Sequence, residues 1–157
     1  KKLNCHPVIA NLLLQRGITS SEQAQSFFYP SLNMLHDPFL MKDMDKAVER
    51  LDRAIAQDEK IMVYGDYDVD GCTAVALVYK FLRQIGHKNL MFYIPDRYTE
   101  GYGVSIKGID YAAENGFSLM LITDCGIKAV EKVKYANSRQ VDIIICDHHR
   151  RIERMKR

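Results

Sequence analysis

The sequence has no tryptophan and no apolar run long enough to span a membrane. Its first residues also lack the apolar segment of a signal peptide, so we expect no membrane partner. The net charge is only +2, so any nucleic-acid site must come from local clustering of basic residues rather than from overall charge. With 47% hydrophobic and 27% charged residues, the composition is that of a globular protein with a real core.

Cysteine is scarce, and its spacing excludes two further classes of protein. No two of the four cysteines form a C-x-x-C pair, which argues against both a disulfide framework and a structural zinc site. We expect the three that lie at or beside predicted strand ends near the carboxylates to be small buried residues, in a reducing, cytoplasmic setting. They are Cys5, Cys72, Cys125 and Cys146.

The hydrophobic pattern changes near residue 58. Residues 1–57 have helical periodicity and carry no chemical motif. Helices are predicted from Pro7 to Gly17, from a cap at Thr19 or Ser20 through Gln25, and over 44–56. Residues 58–149 alternate short apolar strands with helices, which predicts an α/β domain with a mostly parallel sheet and flanking helices. We interpret residues 150–157 as a basic tail at a truncation end. The predicted strands are 61–65, 90–94, 119–123 and 141–146, and a helix is predicted over Thr73–Ile85 after the first strand.

Three carboxylates at alternate positions follow the first predicted strand: Asp66, Asp68 and Asp70. On an extended backbone, residues i, i+2 and i+4 project to the same side, so the three charges are expected to share one face. Such a face needs a cation, and closely spaced oxygen ligands suit hard divalent ions. A solvated acidic turn is the alternative interpretation of this stretch.

Two other predicted strands end in residues of the same kind. Asp124 follows the third strand, and Asp147, His148 and His149 follow the fourth. Because parallel strands bring their carboxyl ends to one edge of a sheet, we expect these side chains to meet the first acidic group. A mixed Asp/His set suits Mn²⁺, with Mg²⁺ the competitor. So many ligands favour two ions, roughly 3.5–4 Å apart, and phosphoester or phosphoanhydride hydrolysis as the chemistry.

These motifs resemble those of a known superfamily. The stretches 66–71 (DYDVDG), 123–126 (TDCG) and 147–149 (DHH) are similar to the motifs of the DHH phosphoesterases. Within that superfamily the chain most resembles the RecJ single-stranded-DNA-specific exonucleases, and the stretches 95–103 (PDRYTEGYG) and 13–18 (LLQRGI) support this likeness. The resemblance covers nearly all of residues 7–149.

The resemblance implies a DHH-type domain that acts as a 5′-to-3′ exonuclease on single-stranded DNA in DNA repair and recombination. It also implies Mn²⁺ or Mg²⁺ as cofactor, with single-strand-binding protein and a helicase as partners. In this interpretation Asp147 orients the histidine pair, His149 lies beside the scissile phosphate, and Arg97 contacts phosphate. The implied metal ligands are Asp66, Asp68, Asp70, Asp124, His148 and His149.

The chain departs from that pattern at two points. Tyr64 occupies a position where some relatives have a histidine, so one ligand found elsewhere is absent or replaced. After the histidine pair the family continues with an apolar segment, a further aspartate ligand and a substrate-binding domain, whereas this sequence ends in the basic tail. We therefore expect an N-terminal portion of the enzyme, with little activity by itself.

Other interpretations stay open from the sequence alone. The domain could instead be a DHH phosphodiesterase for short oligoribonucleotides or cyclic dinucleotides, or a non-catalytic metal- or nucleotide-binding module. Asp124 could cap the following helix, and Arg97 could be an ordinary exposed arginine. We expect Tyr98 and Tyr102 to pack under the adjacent glycine turn, although both could stack on bases.

Overall fold

The computed structural model describes residues 5–149. It divides the chain into two compact units, one up to residue 44 and one from residue 45 onward. The first unit contains α1 (Pro7–Gln15), α2 (Ser21–Phe28) and two single 3₁₀ turns at Leu32–Met34 and Pro38–Leu40. Ser20 caps α2 in a reciprocal capping box with Gln23, as its position before a polar first turn predicts.

The second unit alternates helices with four short strands. Its sheet is built from strands that follow one another in the chain with a helix between each pair. No helix in residues 5–149 is long and apolar enough to cross a membrane. The elements are α3 (Met44–Ala56), β1 (Ile61–Gly65), α4 (Val69–Gln84), β2 (Leu90–Tyr93), α5 (Ile106–Glu114), β3 (Leu119–Thr123), α6 (Val130–Ser138) and β4 (Asp142–Cys146).

All four strands are parallel, in the spatial order β2-β1-β3-β4. The chain therefore moves from β1 to one side of the sheet and then returns past β1 to form β3 on the other side. This reversal makes the gap between the carboxyl ends of β1 and β3 a topological switch point, where open α/β sheets bind their ligands. The prediction of a mostly parallel sheet with flanking helices is confirmed.

Alternate residues of β1 and β3 pack into cores on opposite faces of the sheet. Met62, Tyr64, Met120 and Ile122 share one cluster with buried residues of α5 and α6. Ile61, Val63, Leu119 and Leu121 pack on the other face, with buried residues of α3 and α4. Every residue of both strands is buried, which explains why their sequences read as continuous apolar runs without polar alternation.

The boundary between the two compact units lies at 44/45, and α3 packs on the sheet. Two sequence expectations differ from the structure. Only Cys125 is a buried cysteine; Cys72 and Cys146 are exposed, and Cys5 is intermediate, although all four are free as expected. The predicted basic tail, 150–157, lies outside the described residues.

The second difference concerns the acidic stretch. α4 begins at Val69, four residues before the predicted start at Thr73, because the side chain of Asp68 caps the helix by accepting a hydrogen bond from the Gly71 amide. Asp70 then lies in the first helical turn. The prediction that residues 66–70 form one extended face is therefore wrong.

An ion-pair cluster ties α3 to the amino-terminal edge of the sheet. The Arg50 guanidinium donates to both carboxylate oxygens of Glu59, at 3.3 and 2.8 Å, and to Asp142 of β4 at 2.6 Å. The Ser118 hydroxyl also donates to Glu59. The hydrogen bonds from Arg50 and Ser118 hold the pKa of Glu59 below its ordinary value.

We expect Arg50→Ala to lower the free energy of unfolding by about 2 kcal/mol, because charge-assisted hydrogen bonds to two carboxylates are lost together. Urea denaturation followed by circular dichroism measures the change. Lys134→Ala is the matched control, since the Lys134–Glu131 pair is exposed on both sides, and its effect should stay within about 0.5 kcal/mol. Equal effects of the two substitutions would contradict the role given to Arg50.

The same cluster predicts the sign of a pH effect. Because the pKa of Glu59 is lowered in the folded chain, its contribution is present at neutral pH and is lost as pH falls below the ordinary carboxyl value of 4.5. The stability difference between wild type and Arg50→Ala should therefore shrink on acidification. A difference that stays constant between about pH 7 and about pH 3.5 would contradict this assignment.

Candidate metal centre at the carboxyl edge of the sheet

Three carboxylates leave the sheet at its carboxyl edge, one after each of three strands. Asp66 follows β1, Asp124 follows β3 and Asp147 follows β4. β1 and β3 are neighbours, as are β3 and β4, so the three residues start from adjacent positions. Asp66 and Asp124 flank the switch point, which is the place that the sequence predicted for a site.

Asp66 is a buried carboxylate without a partner. The residue is 1% exposed, and neither carboxylate oxygen has a hydrogen-bond partner among the described residues. Gly71 lies directly against the Asp66 backbone, where an added Cβ would come within 2.4 Å of the Asp66 carbonyl oxygen. Burial of an unpaired charge costs several kcal/mol, so this carboxylate calls for a cation beside it.

Asp124, His148 and His149 form a compact group of ligand atoms. One nitrogen or oxygen from each of the three lies within 4.8 Å of the others. His148 Nε2 is 3.0 Å from Asp124 Oδ1, and the two imidazole ring centres are 4.6 Å apart. Asp124 has a positive φ of 60°, a backbone conformation that aspartate adopts more readily than most residues. Its amide donates to the Cys146 carbonyl, which ties the ends of β3 and β4 together.

The Asp147 side chain is also buried, but both of its carboxylate oxygens have partners within the chain. One oxygen accepts from the His149 amide at 2.9 Å and lies 2.7 Å from His149 Nδ1; the other accepts from the Ile127 amide at 2.9 Å. Although burial opposes ionisation, these amide hydrogen bonds lower the pKa of Asp147. The carboxylate thus orients the His149 ring through its Nδ1 atom.

The electrostatic field at this edge is strongly negative. Burial raises the pKa of the Cys125 thiol to about 12, and the nearby charges of Asp66, Asp147, Asp124 and Asp68 act in the same direction. Burial likewise raises the pKa of Tyr102, with Asp66, Asp147 and Asp124 adding to the effect. Several carboxylates therefore act on the same small volume, which favours a bound cation.

Among the described residues, Asp66, Asp68 and Asp70 are not members of the compact ligand group. Asp68 is exposed, and its side chain is engaged in capping α4. Asp70 is exposed in the first turn of the same helix. Asp124, by contrast, does not serve as a helix cap, because the N-cap residue of α6 is Ala129.

The loop after β2 contributes aromatic side chains that the sequence reasoning assigned wrongly. Tyr98 is 92% exposed and Tyr102 is 55% exposed, so neither packs under the glycine turn. The Tyr102 hydroxyl lies 3.3 Å from His149 Nε2, a contact that the sequence analysis missed. Tyr102 lies between two glycines of positive φ, Gly101 and Gly103, but no local sequence pattern signals its contact with His149.

Arg97 does not touch the ligand group directly. Its guanidinium lies over the Tyr67 ring, 5.3 Å from the centroid, and Tyr67 in turn makes an edge contact with Tyr102. Arg97 itself is exposed. Because this guanidinium is stacked and faces solvent, its N–H donors remain available for an anion. The geometry is therefore compatible with phosphate contact.

The donor set fits a hard or borderline divalent ion. Carboxylate oxygens and imidazole nitrogens, without a cysteine thiolate among them, are typical ligands of Mn²⁺ and Mg²⁺. No protein group among residues 5–149 bonds to either carboxylate oxygen of Asp66, and a bound cation would account for this. A metal centre is therefore the interpretation of this edge that accounts for its charges.

Comparison with known proteins points the same way. The model of the DHH family, N-terminal domain, matches residues 60–157. The single-stranded-DNA-specific exonuclease RecJ of Bacillus subtilis (strain 168) is 42% identical over 149 residues, which are 95% of this chain and 19% of that protein. The chain thus spans about a fifth of the length of this relative.

Two solved structures are similar in fold. A crystal structure of exonuclease RecJ bound to manganese has a TM-score of 0.65 and 33% identity, and the match covers 72% of this chain and 29% of that chain. RecJ from Thermus thermophilus in complex with Mn²⁺ has a TM-score of 0.66 and 27% identity, and the match covers 88% of this chain and 18% of that chain. Both of these similar proteins hold manganese in their crystals.

We expect Asp66→Asn to stabilise the chain by about 1–3 kcal/mol when divalent ions are removed by chelation, because an unpaired buried charge is replaced by a neutral group of equal size. Thermal or urea unfolding in the presence of EDTA measures this difference. Asp52→Asn, which changes an exposed carboxylate on α3, is the control and should shift stability little.

Added Mn²⁺ should reverse the order. A ligand that binds only the folded state stabilises it in proportion to the logarithm of its concentration, so wild type and Asp52→Asn should gain stability while Asp66→Asn gains much less. If Asp66→Asn is less stable than wild type in EDTA and responds equally to Mn²⁺, Asp66 has a structural role instead.

Proposed function

Because the chain belongs to the DHH family, we propose that it is the metal-binding portion of a 5′-to-3′ exonuclease that hydrolyses phosphodiester bonds of single-stranded DNA. One observation carries this proposal. Asp66, buried and unpaired among residues 5–149, follows β1, and the neighbouring strand β3 leads to Asp124. His148 and His149 lie beside Asp124. The 42% identity to a single-stranded-DNA-specific exonuclease supports the choice of substrate.

The proposed cofactor is Mn²⁺ or Mg²⁺, as two ions. The proposed ligands combine the compact group with the acidic stretch: Asp66, Asp68, Asp70, Asp124, His148 and His149. Asp68 and Asp70 are exposed, so their carboxylates are accessible to an ion. When bound, such ions stabilise the charge that develops on the attacking and leaving oxygens of a phosphoester.

The remaining roles belong to the side chains of this chain. Asp147 holds His149 through the bond to Nδ1, so that Nε2 faces the position proposed for the scissile phosphate. Arg97 is proposed to bind a neighbouring phosphate, with Tyr67 supporting its guanidinium from below. His149 is proposed to lie beside the scissile phosphate, as a metal ligand or as a hydrogen-bond donor to phosphate.

We also propose the wider setting implied by the family. The domain portion at 58–149 is proposed as the catalytic part, and residues 1–57 as a helical segment that precedes it. Single-strand-binding protein and a helicase are the proposed partners, in DNA repair and recombination in the cytoplasm. Free cysteines in the described part of the chain agree with a reducing compartment.

We expect Mn²⁺ to bind the wild-type chain and Asp124→Asn to weaken that binding at least about tenfold, equivalent to about 1.4 kcal/mol. Isothermal titration calorimetry measures both affinities. Asp52→Asn, remote from the ligand group in sequence and exposed, should bind as wild type does. Failure of wild type to bind Mn²⁺, or equal affinity in all three proteins, would reject the metal centre.

The substrate is tested on the natural full-length protein that contains this sequence. We expect digestion of long single-stranded DNA from its 5′ end, abolished by Asp124→Asn, with little activity from residues 1–157 alone. Preferential cleavage of oligoribonucleotides or cyclic dinucleotides would identify a different DHH phosphodiesterase. Metal binding without hydrolysis of any of these substrates would identify a binding module.

A further inference from the structure

The loop 94–105 between β2 and α5 carries two residues of the candidate site. They are Arg97, the proposed phosphate contact, and Tyr102, whose hydroxyl lies 3.3 Å from His149 Nε2. Between them in sequence stands Glu100, a carboxylate to which the proposed function assigns nothing. Its side chain is only 5% exposed, whereas glutamate is seldom buried unless it has partners. The partners of this carboxylate therefore decide what it does.

The Glu100 carboxylate joins β2, the loop and α5. Its Oε2 accepts from the Tyr93 hydroxyl of β2 at 2.9 Å and from the hydroxyl of Ser105, the N-cap of α5, at 2.6 Å. Its Oε1 accepts from the Asp96 amide at 3.0 Å. Although burial opposes ionisation, these hydrogen bonds lower the pKa of Glu100, so the group is an anion at neutral pH. Lys107 Nζ is 3.9 Å away and 70% exposed, so hydrogen bonds rather than an ion pair hold this charge.

The bond to the Asp96 amide closes the turn that carries Arg97. The Glu100 amide donates back to the Asp96 carbonyl at 2.9 Å, so the two ends of the turn are bonded to each other twice. Asp96 Oδ1 accepts from the amides of Tyr98 and Thr99, at 3.0 and 2.8 Å. The backbone on both sides of Arg97 is therefore fixed, although its guanidinium is exposed.

The bond to the Ser105 hydroxyl leads in the other direction, toward Tyr102. The Ser105 amide donates to the buried Tyr64 hydroxyl at 3.0 Å, and this hydroxyl donates to the Gly103 carbonyl at 2.8 Å. Burial raises the pKa of Tyr64, so the hydroxyl stays protonated and can donate. A continuous series of hydrogen bonds thus runs from Glu100 to the backbone next to Tyr102.

We propose that Glu100 is a positioning residue of the candidate site: its buried carboxylate fixes the loop so that Arg97 stays over Tyr67 and Tyr102 stays beside His149. This inference rests on the proposed function and deepens it. The carboxylate contacts neither the proposed ligands nor the phosphate, and it acts through the backbone of the loop. A side chain that binds phosphate must be held close to its productive position, because small displacements cost rate.

Glu100→Gln tests the inference in the natural full-length protein that contains this sequence. The amide keeps the size of the side chain but has one acceptor oxygen, so at least one of the three donors loses its bond. Hydrogen–deuterium exchange measured by mass spectrometry should be at least about tenfold faster over residues 96–103 and unchanged in β1 and β3. Glu49→Gln, which removes an exposed charge from α3, should change neither. Unchanged exchange in the loop, or faster exchange throughout the sheet, would overturn the inference.

Tyr93→Phe is a milder variant that acts on the same carboxylate. It removes one hydroxyl donor and keeps the ring that stacks on Tyr64, with 5.5 Å between the ring centroids. Exchange in the loop should rise about threefold, less than in Glu100→Gln, because two donors remain. Tyr111→Phe is the matched control, since it removes a hydroxyl that donates to Met91 Sδ instead, and it should leave the loop unchanged. Equal loop exchange in these two tyrosine variants would contradict the role given to Glu100.

Coupling to Arg97 separates positioning from a general effect on stability. In digestion of single-stranded DNA, Glu100→Gln and Arg97→Ala should each lower kcat/KM, the first by about tenfold. Because Glu100 acts partly through Arg97, the double variant should lose clearly less than the product of the two single losses. Isothermal titration calorimetry should give Glu100→Gln the Mn²⁺ affinity of wild type. Fully multiplicative losses, or weaker Mn²⁺ binding, would indicate a general structural role and reject the inference.

The outcome is distinguishable from failure of the proposed function. Wild-type protein that digests single-stranded DNA, together with a Glu100→Gln variant of equal kcat/KM, rejects the positioning role and leaves the exonuclease proposal standing. Wild-type protein that digests no single-stranded DNA rejects the exonuclease proposal and this inference with it, whatever the exchange in the loop.

Discussion

The constraint on which this structure depends is a buried carboxylate that has no partner among residues 5–149. Asp66 follows β1 at the point where the strand order reverses, and neither of its enclosed oxygens is bonded to any of the described residues. The protein itself supplies no cation there among the described residues, and the neighbouring carboxylates add to the negative field. Folding around such a residue costs free energy that a bound divalent ion would recover, which would link the stability of the fold to the ion.

Two aspartates with buried side chains lie at the same edge of the sheet, but they have different roles because their surroundings differ. Asp147 receives two backbone amides and one imidazole, so its charge is satisfied and its function is to orient His149. Asp66 receives nothing from the described residues, so its charge remains available. The residue type is the same and both side chains are enclosed. The difference comes from which backbone N–H groups the adjacent loops direct at each carboxylate.

Much of the fold followed from pattern alone. The strands at 61–65 and 119–123 have the bounds predicted from their apolar runs, and α3 covers 44–56 as its periodicity indicates. The start of α4 was predicted four residues late because alternation of Asp66, Asp68 and Asp70 mimics a strand. A local hydrogen bond to the Asp68 side chain caps the helix and makes it start earlier instead. Tyr102 was assigned to packing because nothing in its sequence context reports a contact with a residue 47 positions away.

The sequence by itself determined the element order, the parallel sheet and the residue types available at three strand ends, since these depend on local periodicity and turn chemistry. Only the tertiary structure decided which of those residues meet. It brought Asp124, His148 and His149 together, left Asp68 in a helix cap and gave Glu100 its hydrogen-bond donors. The physical reason is that hydrogen bonds and burial between distant segments depend on three-dimensional packing, which no local pattern specifies.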